Sequence, residues 1–279
     1  MQGFRIPFAV AALAAAVGVA SCGGGGGGGN DQSNTAQGQL RMAITDAPGD
    51  FLAYDVNIKS ITLKSANGAE VQTIPIAAHI DFTQYTDLSE LFNVLTVPAG
   101  RYTQVVLNLD YTDADIQIEG NDGGEITPAV QTEDGATASD VSLQLQFPDD
   151  QPLEVRAGET ADLSIDFDLA ASNDVDVDNN VVTVGPVLYA STHLDADREH
   201  RVRGLFHSVN SADNTFVVDL LPLYLRRGEF GEASVQADAD TQWLINGVEY
   251  TGLAGIAQLA TLAADTPIVV LGIVSDDKA

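Results

Sequence analysis

Asp174, Asp176 and Asp178 set a carboxylate at every second position of Asn173-Asp174-Val175-Asp176-Val177-Asp178-Asn179-Asn180. Asp162, Asp166 and Asp168 share one face of the stretch just before it. Oxygen ligands at positions one, three and five are how a calcium loop begins. Neighbours two apart on a strand face lie about 6.5–7 Å from one another, so like charges there need water, basic partners or a shared cation. The candidate chemistry is weak Ca²⁺ binding by Asp174, Asp176 and Asp178, with Asp166 or Asp168. The stretch departs from a calcium loop twice. Asn179 stands where the glycine belongs, and Gly185 where the closing glutamate belongs. Val175 and Val177 alternate as in a strand, so a solvated acidic hairpin end accounts for the same residues.

Other reactive groups are scattered. His193, His200 and His207 recur seven apart, a spacing that alternates strand faces and does not gather a zinc site without a bend. Arg198, Arg201, Arg203, Arg226 and Arg227 could form a basic patch, with Trp243 and Tyr250 to stack on a sugar ring. The plainer account has the aromatics in a core and the arginines paired with carboxylates. No nucleophile elbow, His-Glu-x-x-His, paired-cysteine metal motif or phosphate loop occurs. Paired carboxylates say nothing in a chain with 40 acidic residues. The expectation is a protein that is not an enzyme, with no catalytic residue and no cofactor beyond the candidate Ca²⁺.

Twelve basic residues against 40 acidic ones leave a net charge of −28. That excess excludes nucleic acid, because phosphate binding needs a basic face. Cys22 is the single cysteine, so no intramolecular disulfide forms. Before it, Met1 to Arg5 carries one positive charge and Ile6 to Val19 is apolar. This is the layout of a secretory signal, too short to span a bilayer as a mature helix. The quartet Val19-Ala20-Ser21-Cys22 resembles a bacterial lipobox, which implies lipidation of Cys22 with palmitate-type chains. Gly23 in the next position implies passage to the outer membrane. Two or three acyl chains anchor stably where one does not. The chain therefore divides into a signal peptide (1–21) and a Gly-rich tether (22–37). The tether reaches roughly 20–25 Å on average as a flexible coil.

The positioning elements come next. Leu40, Met42 and Ile44 alternate with polar neighbours, as do Val105, Leu107, Leu109 and Tyr111. Val141, Leu143, Leu145 and Phe147 do the same, and so do Leu163, Ile165, Phe167 and Leu169. Each is a strand with one buried and one wet face. Val56 and Ile58 fall out of phase with Ile61 and Leu63, which predicts a bulge near Lys59-Ser60. Asp87 as cap, Glu90 at the third position and Leu88, Leu91, Phe92 and Leu95 at helical spacing predict a short helix. Asp46 before Pro48 fits an Asx-type turn, and Pro98-Ala99-Gly100 a tight reversal, with Tyr102 packed beside it and its hydroxyl wet. Past a polar linker (193–200), Val202–Val209, Thr215–Leu220, Ser234–Ala237, Gln242–Ile245 and Pro267–Val274 read as strands. Asn246-Gly247 is a hairpin turn, and a short helix covers Leu253, Ile256, Ala260 and Ala263. The fold class is all-β: an antiparallel β-sandwich with one short helix (38–192), then a small OB-like β-barrel (201–279).

The series Ile44-Thr45-Asp46-Ala47-Pro48, Val97-Pro98-Ala99-Gly100-Arg101-Tyr102, Leu163-Ser164-Ile165-Asp166-Phe167-Asp168 and Gly185-Pro186-Val187 resembles an uncharacterised bacterial lipoprotein domain family. That family is marked by Thr-Asp-Ala-Pro, Pro-Ala-Gly-x-Tyr and Asp-Phe-Asp. The resemblance implies a sandwich-like envelope domain and brings no catalytic residues. Gly204, Asn214-Thr215-Phe216-Val217-Val218 and Asp240-Thr241-Gln242-Trp243 resemble a second uncharacterised small β domain of exported bacterial proteins. The expected function is a lipid-anchored outer-membrane module, on the periplasmic face or the cell surface. It would bind a glycan, a cation or an envelope protein without catalysis. A secreted hydrolase or its accessory carbohydrate-binding module is one alternative. A subunit of an envelope assembly is another.

Overall fold

Residues 7–8, 36–47, 51–86, 88–223, 225 and 227–274 are described by a computed structural model of the chain. Cys22, Asp87, Arg226, the expected signal peptide apart from Pro7 and Phe8, and the tether apart from Ala36 and Gln37 lie outside the described residues.

Strands dominate in chain order. They are β1 (Pro7–Phe8), β2 (Gln37–Ala47), β3 (Phe51–Ser65), β4 (Glu70–Gln72), β5 (Ala78–Asp81), β6 (Ser89–Pro98) and β7 (Gly100–Glu119). Then come β8 (Glu125–Ile126), β9 (Ala129–Thr132), β10 (Asp140–Gln146), β11 (Leu153–Val155) and β12 (Thr160–Asp168). One helical turn, α1 (Leu169–Ser172), leads to β13 (Asn173–Asp176), β14 (Val181–Val184) and β15 (Leu188–Ser191). The C-terminal part holds β16 (His200–Asn210), β17 (Thr215–Leu220), β18 (Glu232–Gln236), β19 (Gln242–Ile245), β20 (Val248–Thr251), α2 (Ala254–Leu259) and β21 (Pro267–Val274).

Two sheets face each other across the first core. One runs β15-β12-β2-β6, and the other is built on β10-β7-β3-β4. The period-two residues do what their spacing requires. Leu40, Met42 and Ile44 of β2 and Leu163, Ile165 and Phe167 of β12 meet Tyr54, Val56, Ile61 and Leu63 of β3 and Val105, Leu107 and Leu109 of β7. The phase break in β3 is a register shift between Ile58 and Ser60 against β7, the expected bulge. Most ladders are antiparallel. β2 with β12 and β6 with β16 are parallel.

The predicted helix over residues 88–95 is not formed: Ser89–Pro98 is strand β6. Ser89 through Val94 are all buried, because β6 has apolar packing on both faces. Phe92 and Val97 join the first core, while Leu91 and Val94 join the second. A strand buried on both sides loses the alternation that identifies it, and a short apolar run then mimics helical spacing.

The second unit grows directly from the first. Residues 200–202 of β16 lie parallel to residues 89–91 of β6, residues 200–205 pair with β21 and residues 204–210 with β17. Phe230 also returns to the sandwich, its carbonyl accepting from the Val94 amide at 2.8 Å. The run β21-β16-β17-β18 curls around Val202, Phe206, Phe216, Val218, Val235 and Ile256. No ladder joins β18 to β21 among the described residues, so the curl is a half barrel there. α2 contains Ile256 of the expected helix, with Leu253 and Ala260 as its caps and Ala263 beyond it, and Asn246-Gly247 makes the turn with φ of 52° and 79°. β1 lies parallel to Ile273–Val274 of β21, within the segment expected to be removed on maturation.

A buried ion cluster crosses the junction. Glu90 of β6 has no exposed side-chain surface. It accepts from Arg201 Nε at 2.6 Å and from Arg203 Nε at 2.7 Å. Arg203 Nη2 donates to the Tyr85 hydroxyl at 3.1 Å, and the Arg201 guanidinium lies 5.4 Å from the Tyr85 ring centre. Burial pushes the Tyr85 hydroxyl up to about 12.

Candidate functional site

A cleft of about 260 Å³ opens where the two units meet. Its floor is a row of residues on neighbouring strands. His200 of β16 is in register with Ser89 of β6, and Asp166 of β12 is in register with Thr45 of β2 and Tyr189 of β15. Ser164 and Ser191, one step along, pair in the same ladder. Asp195 and Arg198, from the segment read as the linker, form its wall. Period two explains the row: one residue per strand points the same way when the register is fixed.

Two groups in this cleft are held in costly states. His200 is 1 % exposed. Its Nε2 sits 2.9 Å from the Asp195 carbonyl oxygen, which can only accept, so Nε2 carries the hydrogen. Burial holds the imidazole below its ordinary value of 6.5, with Arg41 and Arg198 acting in the same direction. The neutral ring therefore presents Nδ1 as an acceptor, and that atom is buried with no hydrogen-bond partner. Asp166 is half-buried. Burial raises its carboxyl above 3.8, Asp168 adds to the shift, and Arg198 opposes it. Its Oδ1 is likewise buried without a partner. A buried polar atom left unpaired costs about 1–3 kcal/mol. Both atoms are acceptors that no protein hydrogen reaches among the described residues. Hydroxyls of Thr45, Ser89, Ser164 and Ser191 surround the cleft, and the Tyr189 ring, 54 % exposed, stands at its edge.

The remaining carboxylates singled out in the sequence have separate tasks. Asp162 is clamped by Arg41 through Nε at 2.7 Å and Nη2 at 3.0 Å. Asp168 accepts from the Ala171 amide at 2.9 Å and caps α1. Asp176 accepts from the amide and side chain of Asn179, bonds that hold its carboxyl below the usual value. Asp178 accepts from Asn121 Nδ2 at 2.8 Å, and Asp174 is exposed on β13. No three of Asp166, Asp168, Asp174, Asp176 and Asp178 bring oxygens within 4.8 Å of one another.

Of the histidines, His193 and His207 are exposed and His200 is buried. Arg201 and Arg203 face Glu90, Arg198 lines the cleft and Arg227 is exposed, so these four do not make one patch. Trp243 donates from Nε1 to the Gly252 carbonyl at 2.8 Å and packs 5.7 Å from Phe216. A Cβ on Gly255 would clash with its five-membered ring, and the indole packs against the second core.

The ordered motifs have structural work of their own. Asp46 is buried and accepts from the Leu169 amide at 3.2 Å, tying β2 to α1; Pro48 lies outside the described residues. Tyr102 is buried, and its hydroxyl donates to the Pro98 carbonyl at 2.7 Å instead of staying wet. Phe167 stacks on Phe82 at 4.5 Å. Sequence reasoning flagged Asp166 through its crowded face. It named His200 and Arg198 in other groupings and missed the hydroxyls of Thr45, Ser89, Ser164 and Ser191 and the Tyr189 ring.

Residues 37–186 match the family described as "Domain of unknown function (DUF4382)", and the chain belongs to that family. No curated protein and no solved structure matches the chain.

Proposed function

With membership of that family as the premise, we propose that the protein is a lipid-anchored module of the bacterial outer membrane that binds a glycan without transforming it. The observation that carries the reading is the pair of unpaired acceptors in the seam cleft. Two buried acceptors, His200 Nδ1 and Asp166 Oδ1, lack hydrogens to bind. A polyhydroxylic ligand supplies hydroxyl donors, and the Tyr189 ring offers a flat apolar face for a sugar ring. A volume of about 260 Å³ suits one or two sugar residues, not a folded partner. His200 is assigned recognition: the Asp195 carbonyl fixes the hydrogen on Nε2 and leaves Nδ1 as an acceptor. The anchor rests on Val19-Ala20-Ser21-Cys22 directly after an apolar run, and the tether holds the folded part clear of the lipid.

The test is an array of envelope and matrix glycans probed with the full chain. The expected result is a retained sugar class whose signal falls in Tyr189→Ala and Asp166→Asn. An array with no retained glycan, or binding indifferent to both substitutions, refutes the sugar reading. Anchoring is read separately: globomycin should leave unprocessed precursor, and Cys22→Ala should release the protein from membranes.

One observation favours an envelope-assembly reading for the second unit. Val269 and Leu271 on β21 are 63 % and 40 % exposed, beside an apolar groove of about 750 Å³. A stoichiometric partner captured from crosslinked envelopes, and lost in Val269→Asp, would support it.

A further inference from the structure

His207, Asp219 and Glu232 come from three neighbouring strands, β16, β17 and β18, and their ligating atoms all lie within 4.8 Å of one another. We propose that these three side chains form a divalent transition-metal site of the zinc class, independent of the seam cleft and of the lipid anchor.

The backbone brings them together in two ways. Asp219 and Glu232 are direct cross-strand partners in the β17–β18 ladder. Like charges directly opposite one another are destabilising unless something positive sits between them. The register of β16 against β17 then slips between Phe206 and Ser208, so His207 is an extra, bulged residue. A bulge redirects a side chain, and here it adds an imidazole to the carboxylate pair. His207 Nδ1 lies 3.1 Å from each oxygen of Asp219. Neither carboxylate has a Lys or Arg ion-pair partner among the described residues. Asp265 adds negative charge nearby, its amide fixed to the Phe206 carbonyl at 2.9 Å.

The donor set selects the ion. One imidazole nitrogen and two carboxylates suit zinc and its first-row neighbours, whereas calcium takes an all-oxygen shell. Around a tetrahedral zinc with bonds of about 2.0–2.2 Å, ligand atoms sit roughly 3.3 Å apart, within a small side-chain rotation of what is seen. His207 and Glu232 are exposed and Asp219 is half-buried, so an ion can enter and water can complete its shell. His79 with Asp55, at 3.1 Å, is the natural control: a second exposed histidine–carboxylate pair that no third ligand completes among the described residues.

Titration calorimetry of the chelator-treated full chain with Zn²⁺ tests the site. The expected result is one saturable ion per chain. Loss of any one ligand in His207→Ala, Asp219→Asn or Glu232→Gln should weaken binding by roughly tenfold or more, the scale that even outer-shell partners command. His79→Ala should leave it unchanged. Substitutions at these surface positions are checked by unaltered circular dichroism. The proposal is overturned if no saturable binding occurs, if Ca²⁺ at equal concentration displaces Zn²⁺, or if His207→Ala alone weakens binding. Displacement by Ca²⁺ would mark general adsorption to an acidic surface. An effect confined to His207→Ala would mark a lone histidine.

Discussion

Glu90→Gln keeps the shape of a fully buried side chain and deletes the charge that Arg201 and Arg203 both face. Removing one partner of a buried ion pair costs about 3–5 kcal/mol, because the other charge stays out of water. The geometry places this case at the upper end. Glu90 has no exposed side-chain surface, Arg203 has 6 % and Arg201 has 15 %, so neither guanidinium can turn outward cheaply. The two arginines also share one face of β16, about 6.5–7 Å apart, and repel each other once the carboxylate is gone. For a chain of this size each kcal/mol shifts Tm by about 2–4 °C, so a fall of roughly 10 °C or more is expected. Urea unfolding and calorimetry on wild type and variant measure it. Because the cluster ties β6 to β16, wild type should unfold in one transition, and the variant should broaden or split. A companion chain with Glu90→Met, Arg201→Leu and Arg203→Leu should recover most of the loss, since buried charges replaced together leave no orphan. A penalty below about 1 kcal/mol for Glu90→Gln, or a triple variant no better than the single one, refutes this account.

Three further outcomes are expected. Burial holds His200 below 6.5, so the unfolded chain takes up a proton first as pH falls. Stability is intact above pH 6.5 and declines as pH drops from there through the folded value. A Tm–pH profile should show this decline in wild type and a flatter one in His200→Gln. Tyr102→Phe removes the hydroxyl that bonds the Pro98 carbonyl and should cost about 1 kcal/mol in urea unfolding, with the fold unchanged by circular dichroism. Gly231→Ala meets both a φ of +84° and the Val94 carbonyl of β6, and should cost roughly 2 kcal/mol or more; an unaltered midpoint would contradict the packing described there.

The sandwich was legible wherever a strand kept one face dry and one wet, as in β2, β7 and β12. The bulge in β3 was legible because Ile58 and Ile61 broke phase. β6 was not, because its second face is covered by residues more than a hundred positions later in the chain. The polar stretch before β16 looked like a linker, yet Leu194 is buried and Asp195, Arg198 and His200 wall a cleft. The cleft itself left scattered traces: Asp166 among like charges, His200 in a histidine series and Arg198 in a basic run. Thr45, Ser89, Ser164 and Ser191 are ordinary strand residues until the parallel pairing of β2 with β12 sets them in line. The cluster of His207, Asp219 and Glu232 was hidden similarly, since the register slip that gathers it has no sequence signature.

The junction at β6 also sets an order in time. A chain made from its N-terminus presents β6 long before β16 exists. Until residue 203 has emerged, Glu90 has neither Arg201 nor Arg203, and one edge of β6 has no neighbouring strand. The family match ends at residue 186, short of both arginines. A fragment cut there would uncover the apolar face of β6 that Val202 and Phe230 pack against and offer an open strand edge to other chains, the combination that favours aggregation. The last third of the chain thus completes the sheet and the charge balance of the sandwich.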